Sequence, residues 1–324
     1  MNGKEYSTWK KGYYHLCTDG WKDGNLFYTP THFAEGMTSM ALASLLFPVK
    51  IYCFTLMPNH LHIVLSGTGK DCLHLFRFLT RRARKWLSCS GCYAPLPKSY
   101  GFKLIPIENE CQMRNNLIYV IRNPLEKNLA VPGGYPWGSG YLYHSPLANY
   151  VSNHSVENLS VRKRRSLFGT KLPVPNDWMY HEKLGILPAS FINVNLFLKL
   201  FPTPKEYEIR LVKDFEAYIH IAEVLEETPV FSKEEQYAIL EHILQTKYYG
   251  KKLNDLSPAD KSRLAVDLYS KYHWDTQAIS RIIFLSEHIV QQIIYADQKK
   301  QKVSATIMQQ TVAGSNQHIK LRPR

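Results

Sequence analysis

Cysteine is scarce in this chain. Six residues, Cys17, Cys53, Cys72, Cys89, Cys92 and Cys111, are spread through 324 positions, mostly in apolar runs. That density excludes a disulfide scaffold and predicts a reducing compartment, the cytoplasm. Long hydrophobic runs are missing too. The longest, Met37–Val49, is too short to span a bilayer and contains Pro48. The opening MNGKEYSTWKK holds no apolar stretch of the kind a secretion signal needs, so no membrane partner is expected. The sequons at Asn153 and Asn158 then carry no weight. Acidic residues are the minority charge, 27 Asp and Glu against 40 Lys and Arg, for a formal net charge of +13. That excess points to a polyanionic partner, nucleic acid first. Hydrophobic residues make up 45% of the chain, enough for a core and too many for a disordered protein.

What is present is an alternation of strand and helix signals over the first 150 residues. YYHLCT reads as a strand and Thr29 to Leu46 as a helix. VKIYCFTLM and HLHIVLSG read as two strands joined at Pro58-Asn59. Asp71 to Ser88 is an amphipathic helix, FKLIPI a strand, and Glu110 to Asn123 a helix that Pro124 ends or kinks. This order predicts an α+β fold, an antiparallel sheet with packed helices. Residues 1–150 form one expected domain, and 151–183, polar, basic and proline-bearing, a linker or crossing segment. Residues 184–297 are mainly helical, and 298–324 form a flexible basic tail.

Three constellations could carry chemistry. In MPNHLH, His60 and His62 share one face of a strand while Leu61, Ile63 and Leu65 share the other. The pair alone is open between a metal site and two half-exposed histidines on an edge strand. In CQMRNNLIYVIRNPLEKN, Met113, Leu117, Val120 and Ile121 form an apolar stripe. Gln112, Asn115, Asn116, Tyr119 and Asn123 form the opposite one, so Tyr119 sits among amides and is expected to present its hydroxyl. In DCLHLFRFLTRRARKWLS, Arg77, Arg81, Arg84 and Lys85 line one face, with Arg82 beside it. A phosphate backbone or plain solvent could meet that face.

Together these resemble the HUH single-tyrosine transposases, the REP-associated branch in particular. Its histidine–hydrophobic–histidine motif reads His60-Leu61-His62 here, and its tyrosine motif reads YVIRNP, Tyr119 to Pro124. GYPWGS (134–139) matches a third motif loosely. The resemblance covers about residues 8 to 150. It implies a ferredoxin- or RRM-like sheet and cleavage of single-stranded or hairpin DNA by Tyr119 through a 5′-phosphotyrosine. It implies Mg²⁺ or Mn²⁺ on His60 and His62, with Asn123 as a third ligand. Asn115 and the basic helix would contact DNA, and the protein would be a monomer or homodimer in the nucleoid. The alternative is a non-catalytic DNA-binding regulator of the same origin.

Other motifs compete. SGTGKD (66–71) lacks the first glycine and the final Ser or Thr of a phosphate-binding loop. CSGC (89–92) has zinc-like spacing but no second pair, and spacing alone leaves a site shared with the two histidines open. RKRR (162–165) reads as a solvated or backbone-contacting loop. Asp275 to Tyr295 matches a helix-turn-helix, with Ser286 as cap and Glu287, His288, Gln291 and Gln292 facing a groove. Phe284 stands there in place of the usual turn glycine, and a plain helical hairpin fits the pattern as well.

Overall fold

The computed structural model describes residues 3–21, 24–89, 93–126, 129–130, 133–144, 154–213 and 215–300. Cys92 and most of the expected tail, 301–324, lie outside the described residues. The chain forms two compact units, 1–226 and 227–324. No helix among the described residues is long and apolar enough to cross a membrane.

The first unit contains α1 (Gly3–Tyr6), β1 (Gly12–Thr18), α2 (Pro30–Leu46), β2 (Lys50–Leu56) and β3 (Leu61–Gly67). It continues with α3 (Gly69–Cys89), β4 (Phe102–Ile107) and α4 (Glu110–Glu126). The four strands form one antiparallel sheet in the order β2-β3-β1-β4, as the α+β reading requires. β3 is therefore an interior strand, which excludes the edge-strand reading of its histidine. The register pairs His62 with Thr55 on one side and Cys17 on the other. Directly paired residues share a face, so Thr55, His62 and Cys17 form a row, with His15 two residues from Cys17 on that same face. The other face carries Leu16, Leu61 and Ile63, buried with Met40, Phe76 and Leu79 of α2 and α3. α4 covers the histidine face.

Local chemistry explains the element ends. Thr29 caps α2 by accepting from His32 N, with Pro30 in the first turn. Thr68 and Asp71 cap α3 reciprocally: Asp71 N donates to Thr68 Oγ1 at 3.2 Å, and Thr68 N to Asp71 Oδ2 at 3.1 Å. Gly69 lets α1 pack closely, since a Cβ there would stand 1.9 Å from the Tyr6 carbonyl oxygen. SGTGKD is thus a helix start. GYPWGS lies along β2: Leu56 N donates to Trp137 O, Ser139 N to Phe54 O, and Gly138 bridges to Thr55.

The helix does not end at Asn123: Pro124 sits inside α4, whose last turn runs to Glu126. A proline cannot donate to the carbonyl four residues back, here Val120. Thr55 Oγ1 donates to that carbonyl instead, at 2.8 Å.

The rest of the unit holds β5 (His154–Ser155), α5 (Val161–Phe168), β6 (Met179–His181) and β7 (Gly185–Ile186), then α6 (Asn195–Leu200), α7 (Pro204–Lys213) and α8 (Phe215–Leu225). The three short strands form a second antiparallel sheet. Phe168, Trp178, Tyr180 and Ile186 pack there with Ala41 and Leu42 of α2. α8 is tied to β4 at its end, where Lys103 Nζ donates to Leu225 O at 2.9 Å and pairs with Glu226 at 3.0 Å.

The second unit is helical: α9 (Lys233–Lys247), α10 (Pro258–Ser270), α11 (Thr276–Ile283) and α12 (287–300). Ser232 and Glu235 form a capping box on α9, and Asp275 caps α11. Ile279, Ile283, Val290 and Ile294 are buried, while Leu285 and Ile293 are half-buried. Ser286 Oγ accepts from Ile289 N at 3.4 Å, the expected cap of α12. Phe284 makes the turn itself with φ 56 and ψ 45, the left-handed conformation glycine usually supplies.

Candidate active site

The site is a layer between the histidine face of the sheet and α4. The rings of His60 and His62 lie 4.8 Å apart between centroids. Tyr119 brings its ring to 5.6 Å from His62 and 5.9 Å from His15. Of His60, His62 and Tyr119, which the sequence reading joined, His62 is the ring that lies beside both of the others. Asn123 is buried on α4 one turn beyond Tyr119.

His60 ends the Pro58-Asn59 turn, which is clamped from outside. Leu26 N and Phe27 N donate to Pro58 O, Trp21 N to Asn59 O, and Met57 N to His60 O. Asn59 Oδ1 lies 2.7 Å from His60 Nδ1. An amide oxygen only accepts, so His60 Nδ1 carries the hydrogen and, in the neutral ring, Nε2 holds the lone pair. His62 is 0% exposed. Burial first, and then the neighbouring His15, holds its pKa well below the ordinary histidine value, so its ring is neutral at physiological pH. Neutral imidazole nitrogens are metal-ligand chemistry, and the residues present fit a divalent cation. Cys17 adds a softer donor beside His62, its thiol within 4.8 Å of a His62 ring nitrogen.

Tyr119 does not present its hydroxyl to solvent, as its amide-rich stripe suggested. It is 1% exposed. The stripe of Asn116, Tyr119 and Asn123 faces the protein interior. Tyr218 of α8 lies over Tyr119 with ring centroids 5.1 Å apart, and Arg122 lies over the Tyr218 ring at 5.0 Å. Arg122 Nη1 donates to Leu211 O, joining α4 to α7. Asn115 is half-buried and lines a small pocket with Tyr119, Arg122, Arg210 and Tyr218.

The basic helix lies elsewhere. Arg77, Arg81, Arg84 and Lys85 are exposed on α3, across the sheet from Tyr119. Arg82 parts from them. It pairs with Glu35 at 2.8 Å and donates to Ser39 Oγ, Phe168 O and Gly169 O, binding α3 to α2 and to the end of α5. In the second unit Glu287, His288, Gln291 and Gln292 are all exposed on α12. Glu287 accepts from Thr276 Oγ1 at 2.8 Å, and Gln292 lies 3.0 Å from His288.

Sequence reasoning passed over His15, Cys17 and Thr55. The alternation in YYHLCT puts His15 and Cys17 on one face, but only the β1–β3 pairing places that face beside His62.

No protein-family model matches the chain, and no curated protein matches it. Among solved structures it is similar to a REP-associated tyrosine transposase bound to a REP hairpin. Identity is 16%, over 44% of this chain and 84% of that one, with a TM-score of 0.35. This is a distant likeness in fold.

Proposed function

We propose that this protein is a divalent-metal-dependent transposase that cleaves and rejoins single-stranded DNA through Tyr119. The observation that carries the reading is the convergence of two buried imidazoles and one tyrosine between the sheet and α4. The Tyr119 oxygen would form a bond to the scissile phosphorus while the bond from phosphorus to the 3′ oxygen breaks. The products are a 5′-phosphotyrosine and a 3′-hydroxyl: the Tyr119 hydroxyl gives up its proton and the 3′ oxygen takes one up. The phosphotyrosine keeps the bond energy, so the strand is rejoined without a nucleotide cofactor. His60 and His62 would hold Mg²⁺ or Mn²⁺ through Nε2, with Asn123 as an oxygen ligand. The chemistry that ion supplies is polarisation of the scissile phosphate. Two imidazoles are unusual ligands for Mg²⁺ and suit Mn²⁺ better.

The exposed α3 face would bind DNA away from the chemistry, and α12 offers a second exposed surface for DNA. A hairpin stem on α3 and a flanking strand led round the sheet to Tyr119 satisfy both surfaces. Because α8 covers Tyr119, a phosphate reaches it only when α8 lifts from α4. That enclosure also favours a second reading, a DNA-binding regulator without catalysis.

Incubation of the full chain with hairpin-bearing single strands and Mn²⁺ separates the two. Catalysis leaves protein covalently bound to DNA on denaturing gels, and Tyr119→Phe abolishes that band while binding persists. Adducts that survive in Tyr119→Phe would overturn the role of Tyr119. DNA binding with no adduct from any hairpin substrate would establish the regulator.

A further inference from the structure

The structure carries an inference, resting on the proposed function, about how His62 is held. Asn116 Nδ2 donates to Gln112 O at 2.8 Å on its own helix, which turns Oδ1 toward the sheet. The opposite orientation would set two oxygens against each other. Asn116 Oδ1 lies 2.7 Å from His15 Nδ1, so that nitrogen carries a hydrogen. His15 is 0% exposed. Its Nε2 lies 3.1 Å from His62 Nδ1, and with His15 neutral that nitrogen accepts from His62 Nδ1.

We propose that Asn116 and His15 are positioning residues: through this hydrogen-bond relay they hold His62 in its Nδ1–H tautomer and keep Nε2 as the atom that ligates the divalent cation. The relay does for His62 what Asn59 does for His60, and the two histidines then offer the same nitrogen. A ligand histidine whose far nitrogen is held binds its metal more strongly, because ring orientation and tautomer are set beforehand. The relay also ties β1, β3 and α4 together at the metal end of the site. His15 touches neither substrate nor metal in this scheme, and acts through His62.

Two measurements on the full chain test it. The first is nitrogen-15 NMR of metal-free protein labelled at histidine, with His62 assigned by substitution. The His62 resonance is expected to show a protonated Nδ1 and an unprotonated Nε2. The second is Mn²⁺ affinity measured by electron paramagnetic resonance. His15→Phe keeps the ring's bulk and removes the acceptor, so its affinity is expected to fall by about 10–100-fold. His15→Gln restores an acceptor oxygen, and its affinity is expected to stay within a few-fold of the parent. Circular dichroism confirms folding of both variants, and the Gln form keeps the test valid if the Phe form is unstable. A protonated Nε2 on His62 in the parent, or equal Mn²⁺ affinity in parent and His15→Phe, overturns the relay alone. A parent protein that takes up no Mn²⁺ overturns the metal-dependent function, and the relay's assigned use with it.

Discussion

At the scale of single residues, protonation and amide orientation decide what the site can do. His32 and His62 both have pKa values lowered from the ordinary 6.5, each mainly by burial. His32 also accepts from Tyr28 N through Nδ1 at 3.3 Å, a contact the cation would lose. The unfolded chain therefore binds protons near pH 6.5 that the native protein refuses. Stability is full above that pH and falls as pH drops below it. Urea unfolding midpoints at pH 7.5 and 5.5 are expected to show this loss, and His32→Gln to reduce it. An equal midpoint at both pH values would show that these rings charge without cost. His60 and His62 changed together to Ala should remove metal-dependent adducts while DNA binding persists. Full activity of that variant, or of the parent in excess chelator, would refute the metal role.

At the scale of elements, a proline normally weakens the helix it enters, yet α4 continues past Pro124. The reason lies on another strand, where the Thr55 hydroxyl satisfies the carbonyl of Val120. Thr55→Val keeps the shape and leaves that buried carbonyl without its donor. It is expected to lower stability by about 1–3 kcal/mol, read from urea unfolding. A loss below ~0.5 kcal/mol would show that the contact does not matter to α4. Nothing in YVIRNP identifies Thr55, because the two positions are 65 residues apart. The buried amide stripe has the same origin. Its period was legible along α4, but whether it met water or protein depended on α8, which covers it. A polar stripe reads from sequence as a solvent face, whereas Asn116, Tyr119 and Asn123 line an internal polar layer.

At the scale of the whole molecule, the positive charge divides into two kinds of work. Arg77, Arg81, Arg84 and Lys85 stay exposed and can release counterions from DNA. Changing all four to Ala is expected to flatten the salt dependence of single-strand binding by up to about 3 in log Kd against log salt, at ~0.7 per lost contact. An unchanged slope would place the DNA on another surface. Arg82→Ala is expected to leave that slope alone and to cost about 1.5–3 kcal/mol of stability, because its partners are protein groups. Sequence by itself determined the α+β order of elements, the hairpin at Pro58-Asn59 and the cap at Ser286. These follow from alternation, helical period and turn chemistry, all of which are local. Only the tertiary structure decided that β3 is an interior strand, that His15 and Cys17 stand beside His62, that Arg82 is structural, and that α8 encloses Tyr119. Each of these depends on which distant segment packs against which face, and no local pattern encodes that.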